Sequence, residues 1–170
     1  MDKIEELLKD PKTDLQKQAL TDKSYKKTPN NQDGKINFEL ATYGDAILKC
    51  VLCKIYFERE DEDNFGFKGK LTEWKKQYES DEVLVRVVAK HYKLLKFLKY
   101  DKKGNGKPKE QKPRNYKHKG QNDKDRHKYI ATAREACSAA GYSENGENAV
   151  IDIVKKWIRW IDKETNSSDT

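Results

Sequence analysis

Three features of the 170-residue sequence predict an all-α, single-domain fold. Apolar residues return every three or four positions in each patterned segment. No stretch alternates apolar and polar residues as a half-buried strand would, and the length suits one core. That core must be economical, because 38% of the residues are charged and the mean hydropathy is −1.11. The domain is drawn over residues 1–163, with a basic loop at 101–127 and a disordered tail at 164–170.

Lys3 to Lys9 reads as a short helix through Ile4, Leu7 and Leu8, stopped at Asp10-Pro11, and a second begins near Asp14 with Leu15, Ala19 and Leu20. Thr28 to Gly34 is a turn-rich loop that delivers the chain to its most apolar stretch, Ile36 to Phe57. There Ile36, Leu40, Tyr43, Ile47, Val51 and Ile55, widened by Leu48 and Leu52, form the stripe of a central core helix. One acid, Asp45, sits in the middle of it. A charge in such a helix is costly unless paired or bound to a cation, so Asp45 is either a satisfied structural group, with Lys49 one turn on as its partner, or a site. Gly44 beside it costs about 1 kcal/mol of helix propensity against Ala, which points to close approach of another backbone or a ligand.

Glu58 to Gly66 imitates part of a calcium loop through Asp61, Asp63 and Gly66, but fails at Phe65 and lacks the closing Glu at Thr72. A solvated linker is the expectation. Leu71, Trp74 and Tyr78 share one helical face, and Ser80-Asp81 then supplies the N-cap of a helix through Leu84, Val87, Val88, Tyr92 and Leu95. Tyr129 to Tyr142 is a helix crowded with small residues, suited to close packing, with Thr132 and Glu135 on one face. The last helix runs from about Glu147 to Asp162, buries Val150, Ile153, Val154, Trp157 and Ile161, and takes Asn145-Gly146 as its start.

No apolar run approaches membrane-span length, so no membrane contact is expected, and the acidic, amphipathic N-terminus lacks the pattern of a secretory signal. Three cysteines fit a reducing compartment, and a cytoplasmic protein is expected. Cys50 and Cys53 lie on one side of the central helix and are expected to be buried small residues rather than a zinc or redox pair.

The net charge of +7 is localised: residues 99–128 hold twelve Lys/Arg and four Asp/Glu, an excess of +8, and the remainder sums to −1. This points to a localised polyanion contact, with a solvated linker as the plain alternative. Tyr116 within the cluster is placed either to stack on a base or to anchor the loop.

Four motifs in order give these features a family. Ala19-Leu-Thr-Asp-Lys-Ser-Tyr25 resembles the ALTHRSY segment of the ribonuclease III family, and Tyr43-Gly-Asp-Ala-Ile-Leu48 the LGDAVL of its signature helix. Gly69-Lys-Leu-Thr72 is similar to its GELT segment, and Lys128 to Ala136 to the KxLADAFEA helix that completes the active site. The resemblance implies the ribonuclease III-like endonuclease helical domain. It departs at two of the four usual carboxylates, where this chain has Ala41 and Thr132. Ala41-Thr-Tyr-Gly-Asp-Ala46 and Ala131-Thr-Ala-Arg-Glu-Ala136 resemble the version in Mini-ribonuclease III enzymes, as do the basic loop before the second motif and an end after the catalytic domain.

The resemblance implies a Mg²⁺-dependent endoribonuclease of double-stranded RNA, with Mn²⁺ as an alternative ion, acting in RNA processing. Asp45 and Glu135 would be its metal ligands and catalytic acids, with Thr132 ordering a metal-bound water. Mg²⁺ commonly takes only one or two protein carboxylates, so two suffice in principle. The helices are expected to cross at Gly44 and the small-residue face near Ala131. Lys102, Lys103, Lys107, Lys109, Lys112, Arg114, Lys117 and Lys119 are the candidate phosphate contacts for double-stranded or structured RNA. A homodimer is the family default, although Thr42 stands where the typical interface has an aromatic wedge. Two alternatives stay open. One is a catalytically inactive ribonuclease III-fold RNA-binding protein, in which Lys49 takes the charge space of the metal; the other is a protein–protein adaptor, which leaves the basic loop unexplained.

Overall fold

The computed structural model describes residues 2–25, 34–59, 69–100 and 119–167, and for 119–127 the backbone alone. Every element among them is helical, apart from one isolated bridge between Thr21 and Lys99. The short N-terminal helices are set by their caps. Asp2 accepts from the Glu5 amide at 2.9 Å to start α1 (Lys3–Lys9), and Thr13 accepts from the Gln16 amide at 3.2 Å to start α2 (Asp14–Ala19).

The motif after α2 is a clasp. Lys99 donates its amide to the Leu20 carbonyl at 2.8 Å, Asp22 donates to the Lys99 carbonyl at 2.9 Å, and Asn37 donates to the Thr21 carbonyl at 2.8 Å. These bonds fix the entry of α3 (Phe38–Arg59), the central helix. Its buried stripe is Ala41, Gly44, Ile47, Leu48, Val51, Leu52, Ile55 and Tyr56. Tyr43, expected inside, is 47% exposed, because Ala41 and Gly44 face the neighbouring helix and turn the stripe away from it. Cys50 is likewise exposed and Cys53 half-buried; only Cys137 is a core residue.

Helix α4 (Lys70–Glu79) follows Gly69, whose φ of 103° is left-handed, and packs Trp74 between Tyr56 and Tyr78 at ring distances of 5.4 and 4.8 Å. Ser80 then caps α5 (Asp81–Val83), accepting from the Val83 amide at 3.3 Å. The helix next widens into a π-helical stretch, Leu84–Ala89, and closes as α6 (Lys90–Tyr92). Five of the six π residues are buried, with Leu84, Val87, Val88 and Ala89 in the core, while Arg86 stays outside.

The remainder is α7 (Lys119–Asn166), broken at Gly146, where φ 78° and ψ 178° leave helical geometry. Two boundaries differ from the sequence reading. Helix begins at Lys119, so 119–127 are not part of a loop, and it ends at Asn166, three residues into the expected tail. The break at Gly146 matches the start signal read from Asn145-Gly146. The C-terminal half is tied to the N-terminus through Tyr92, which donates to Asp2 Oδ2 at 2.9 Å and accepts from Trp157 Nε1 at 3.1 Å. Among the described residues no helix is long and apolar enough to cross a membrane.

Candidate active site

Among the described residues helices α3 and α7 form the most extensive contact, and at Gly44 the two backbones approach closely. A methyl group there would overlap the Glu135 carbonyl oxygen and stand 2.6 Å from the carbonyl carbon and 3.2 Å from Cα. Glycine is therefore required by an opposing backbone, as its place in a helix suggested. The touching residue is Glu135 itself, one turn beyond the expected Ala131. Because Asp45 follows Gly44, this crossing delivers both acids to one open cleft.

The cleft, about 610 Å³, is lined by Asp45, Glu79, Asp81, Thr132 and Glu135, by Lys49 and Lys76, and by Phe38, Ala41, Thr42 and Ser80. An adjoining cleft, lined by Glu82, Val85, Lys128 and Ala131, shares Asp81, Thr132 and Glu135 with it. Thr132 donates its hydroxyl to the Lys128 carbonyl at 2.9 Å, which leaves its oxygen able only to accept from the cleft.

Each acid has a cation of its own. Lys49 donates to Asp45 Oδ2 at 2.6 Å, one helical turn away, and that hydrogen bond, with the charges of Asp45, Glu79 and Glu135, holds the Lys49 ammonium above its ordinary range. Arg134 donates from Nη2 to Glu135 Oε1 at 3.1 Å and lies 3.6 Å from Asp81 Oδ1. Its side chain is only 4% exposed, and Nε and Nη1 have no hydrogen-bond partner among the described residues. Burial pushes the Glu135 carboxyl up to about 7; the negative charges of Asp81 and Asp45 add to this, and Arg134 and Lys49 oppose it.

Asp45 Oδ1 and Glu135 Oε2 accept no hydrogen bond among the described residues, and no group of three or more His, Cys, Asp or Glu is gathered there to hold an ion. One free oxygen on each of two acids fits a cation such as Mg²⁺, which retains most of its waters.

A family model described as ribonuclease III domain matches residues 39–146, more than half of the chain. The chain belongs to the ribonuclease III family. The matched span contains Asp45 and Glu135 and closes at the Gly146 break, so the family's unit coincides with α3 through the first part of α7. The ribonuclease III family consists of double-stranded-RNA endoribonucleases, generally dependent on divalent metal and commonly dimeric. No curated protein matches the chain.

Of the residues singled out in the sequence, the ribonuclease III fold here brings Asp45, Lys49, Thr132 and Glu135 together. The basic residues from Lys102 to Lys117, Tyr116, and the calcium-like Asp61, Asp63 and Gly66 lie outside the described residues, and Lys119 opens α7 with its side chain undescribed. Sequence reasoning missed Arg134, Asp81 and Glu79. Asp81 was visible only as part of a helix cap, and Arg134 only as one polar residue among the small ones of Ala131 to Ala136.

Proposed function

We propose that this ribonuclease III family member is a Mg²⁺-dependent endoribonuclease that hydrolyses double-stranded or structured RNA in RNA processing, with a two-acid site like that of Mini-ribonuclease III. The observation that carries the reading is the contact of Gly44 with the Glu135 backbone, which opens Asp45 and Glu135 onto one cleft. Asp45 and Glu135 would hold the ion through their free oxygens; Mn²⁺ fits the same donors. When bound, such an ion lowers the pKa of its water and neutralises charge developing on the leaving oxygen. Glu135 binds and orients from a half-dry position, Thr132 offers an acceptor to a nearby water, and Lys49 and Lys76 on one side with Lys128 on the other meet the phosphate backbone. The basic residues from Lys102 to Lys119, eight of which were named as candidate phosphate contacts, would add to that contact with a duplex. A homodimer is part of the proposal: α3 leaves Tyr43 and Phe57, 47% and 53% exposed, on one side of the helix for a second copy.

A second reading, a ribonuclease III-fold RNA-binding protein without hydrolysis, is favoured by the two ion pairs that already cap Asp45 and Glu135. Incubating the protein with long duplex RNA in Mg²⁺ or in EDTA separates the two. Cutting in Mg²⁺ alone, lowered more than about 100-fold in Asp45→Asn, beyond the range for outer-shell partners of a metal, is the expected result. Retention of RNA without cutting would select the second reading, and unchanged cutting by Asp45→Asn would remove Asp45 from the site.

A further inference from the structure

Each of the two acids expected to hold the ion is matched by a cation, Asp45 by Lys49 at 2.6 Å and Glu135 by Arg134 at 3.1 Å. Counted as two pairs they carry no net charge, and a site of zero charge has little attraction for a divalent cation. Arg134 makes this acute. It is permanently charged and 4% exposed, and it stands beside Glu135 where solvent screens it poorly. The same nitrogen that donates to Glu135 also lies 3.6 Å from Asp81, whose side chain is 70% exposed and lines both clefts. One guanidinium charge is thus divided between two carboxylates on different helices. Its Nε and Nη1, buried and without partners among the described residues, indicate a side chain placed for this contact at the expense of its other donors.

We propose that Asp81 is a positioning residue of the metal site: by sharing Arg134 with Glu135 it leaves three carboxylates against two cations among Asp45, Lys49, Glu135, Arg134 and Asp81. That local surplus, counted apart from the Lys76 ammonium that also lines the cleft, draws the divalent ion to Asp45 and Glu135. Asp81 therefore restores, from the start of α5, part of the charge absent at Ala41 and Thr132, and it does so without being a direct ligand. Glu79 is less suited to this role, since it lies 3.4 Å from Lys75 on its own helix. The inference rests on the reading of Asp45 and Glu135 as the ion-holding pair.

Mn²⁺ binding to the RNA-free protein, followed by titration calorimetry, tests it. Asp81→Asn is expected to weaken Mn²⁺ binding about 10-fold or more, the scale of an outer-shell partner, with the thermal unfolding midpoint close to wild type because the side chain is exposed. Asp81→Glu is expected to recover most of the affinity. Glu82→Gln, which removes a neighbouring exposed acid with no ion pair to Arg134, is expected to bind as wild type does. Wild-type affinity in Asp81→Asn, or equal weakening in Glu82→Gln, overturns the inference. Asp45→Asn separates this from the parent reading: if it abolishes binding while Asp81→Asn does not, only the role of Asp81 falls. If the wild-type protein takes up no Mn²⁺, both fall.

Discussion

Glu135 is held between burial, which favours its neutral form, and Arg134, which favours its charge. With burial dominant, the carboxyl is pushed up to about 7 from an ordinary 4.5. Between those two values the folded chain holds a proton that the unfolded chain has lost. Stability contributed by this group therefore falls as pH rises through the window and levels off above it. Relative to Glu135→Gln, the wild-type protein is expected to lose about 3 kcal/mol of unfolding free energy between pH 4.5 and 7.5, as read by denaturant titration without metal. A flat difference would mean that Glu135 titrates normally. The same shift makes divalent-ion binding release a proton near neutral pH. The presence of Asp45 and Glu135 was legible as two acids in matching motifs. Their electrostatic state was not, because Arg134 and Asp81 act on Glu135 only across space.

Helices α3 and α7 meet by backbone contact, and two glycines show how differently that residue can be required. Gly44 lies in regular helix and is needed because the Glu135 backbone fills the space of a side chain; Gly146 is needed for its φ of 78°, with nothing within 4 Å of an added Cβ. Gly44→Ala is expected to cost about 3 kcal/mol, the upper end of overpacking, since a backbone neighbour yields less than a side chain. It should also spread the two acids and abolish metal binding. Gly146→Ala, which meets only backbone strain but in a φ/ψ region open essentially to glycine alone, is expected to cost about 2 kcal/mol. Denaturant midpoints of the two variants check the order, and an equal cost would mean that the crossing is loose. The helices themselves were readable from their apolar spacing and caps, as at Ser80 and Thr13. The π-helical stretch was not, since Leu84 to Ala89 carries no local signal for it and the core into which Leu84, Val87, Val88 and Ala89 pack is built by other helices.

Across the whole molecule, charge is divided between a nearly neutral helical body and one basic segment, with an excess of +8 over residues 99–128. If that segment tracks phosphates, affinity for duplex RNA falls steeply with salt. Replacing Lys102, Lys103, Lys107 and Lys109 by Ala is expected to reduce the slope of log affinity against log salt by about 3 to 4, one step per phosphate contact removed. Filter binding between low and physiological salt measures it. An unchanged slope would make the segment a solvated connection and leave Lys49, Lys76 and Lys128 at the clefts as the remaining contacts.

The sequence by itself determined the all-α class, the order of the helices, the family, and the two acids. Each of these is encoded by residue spacing along one chain or by a short motif. Tertiary structure alone decided that Glu135 lies against Gly44, that Tyr43 is outside and Ala41 inside, and that a buried arginine is shared by acids from two helices. These depend on which faces of separate helices meet. At that meeting, exclusion of water turns ordinary charges into coupled ones, and neither the contact nor the dryness is written in any single segment.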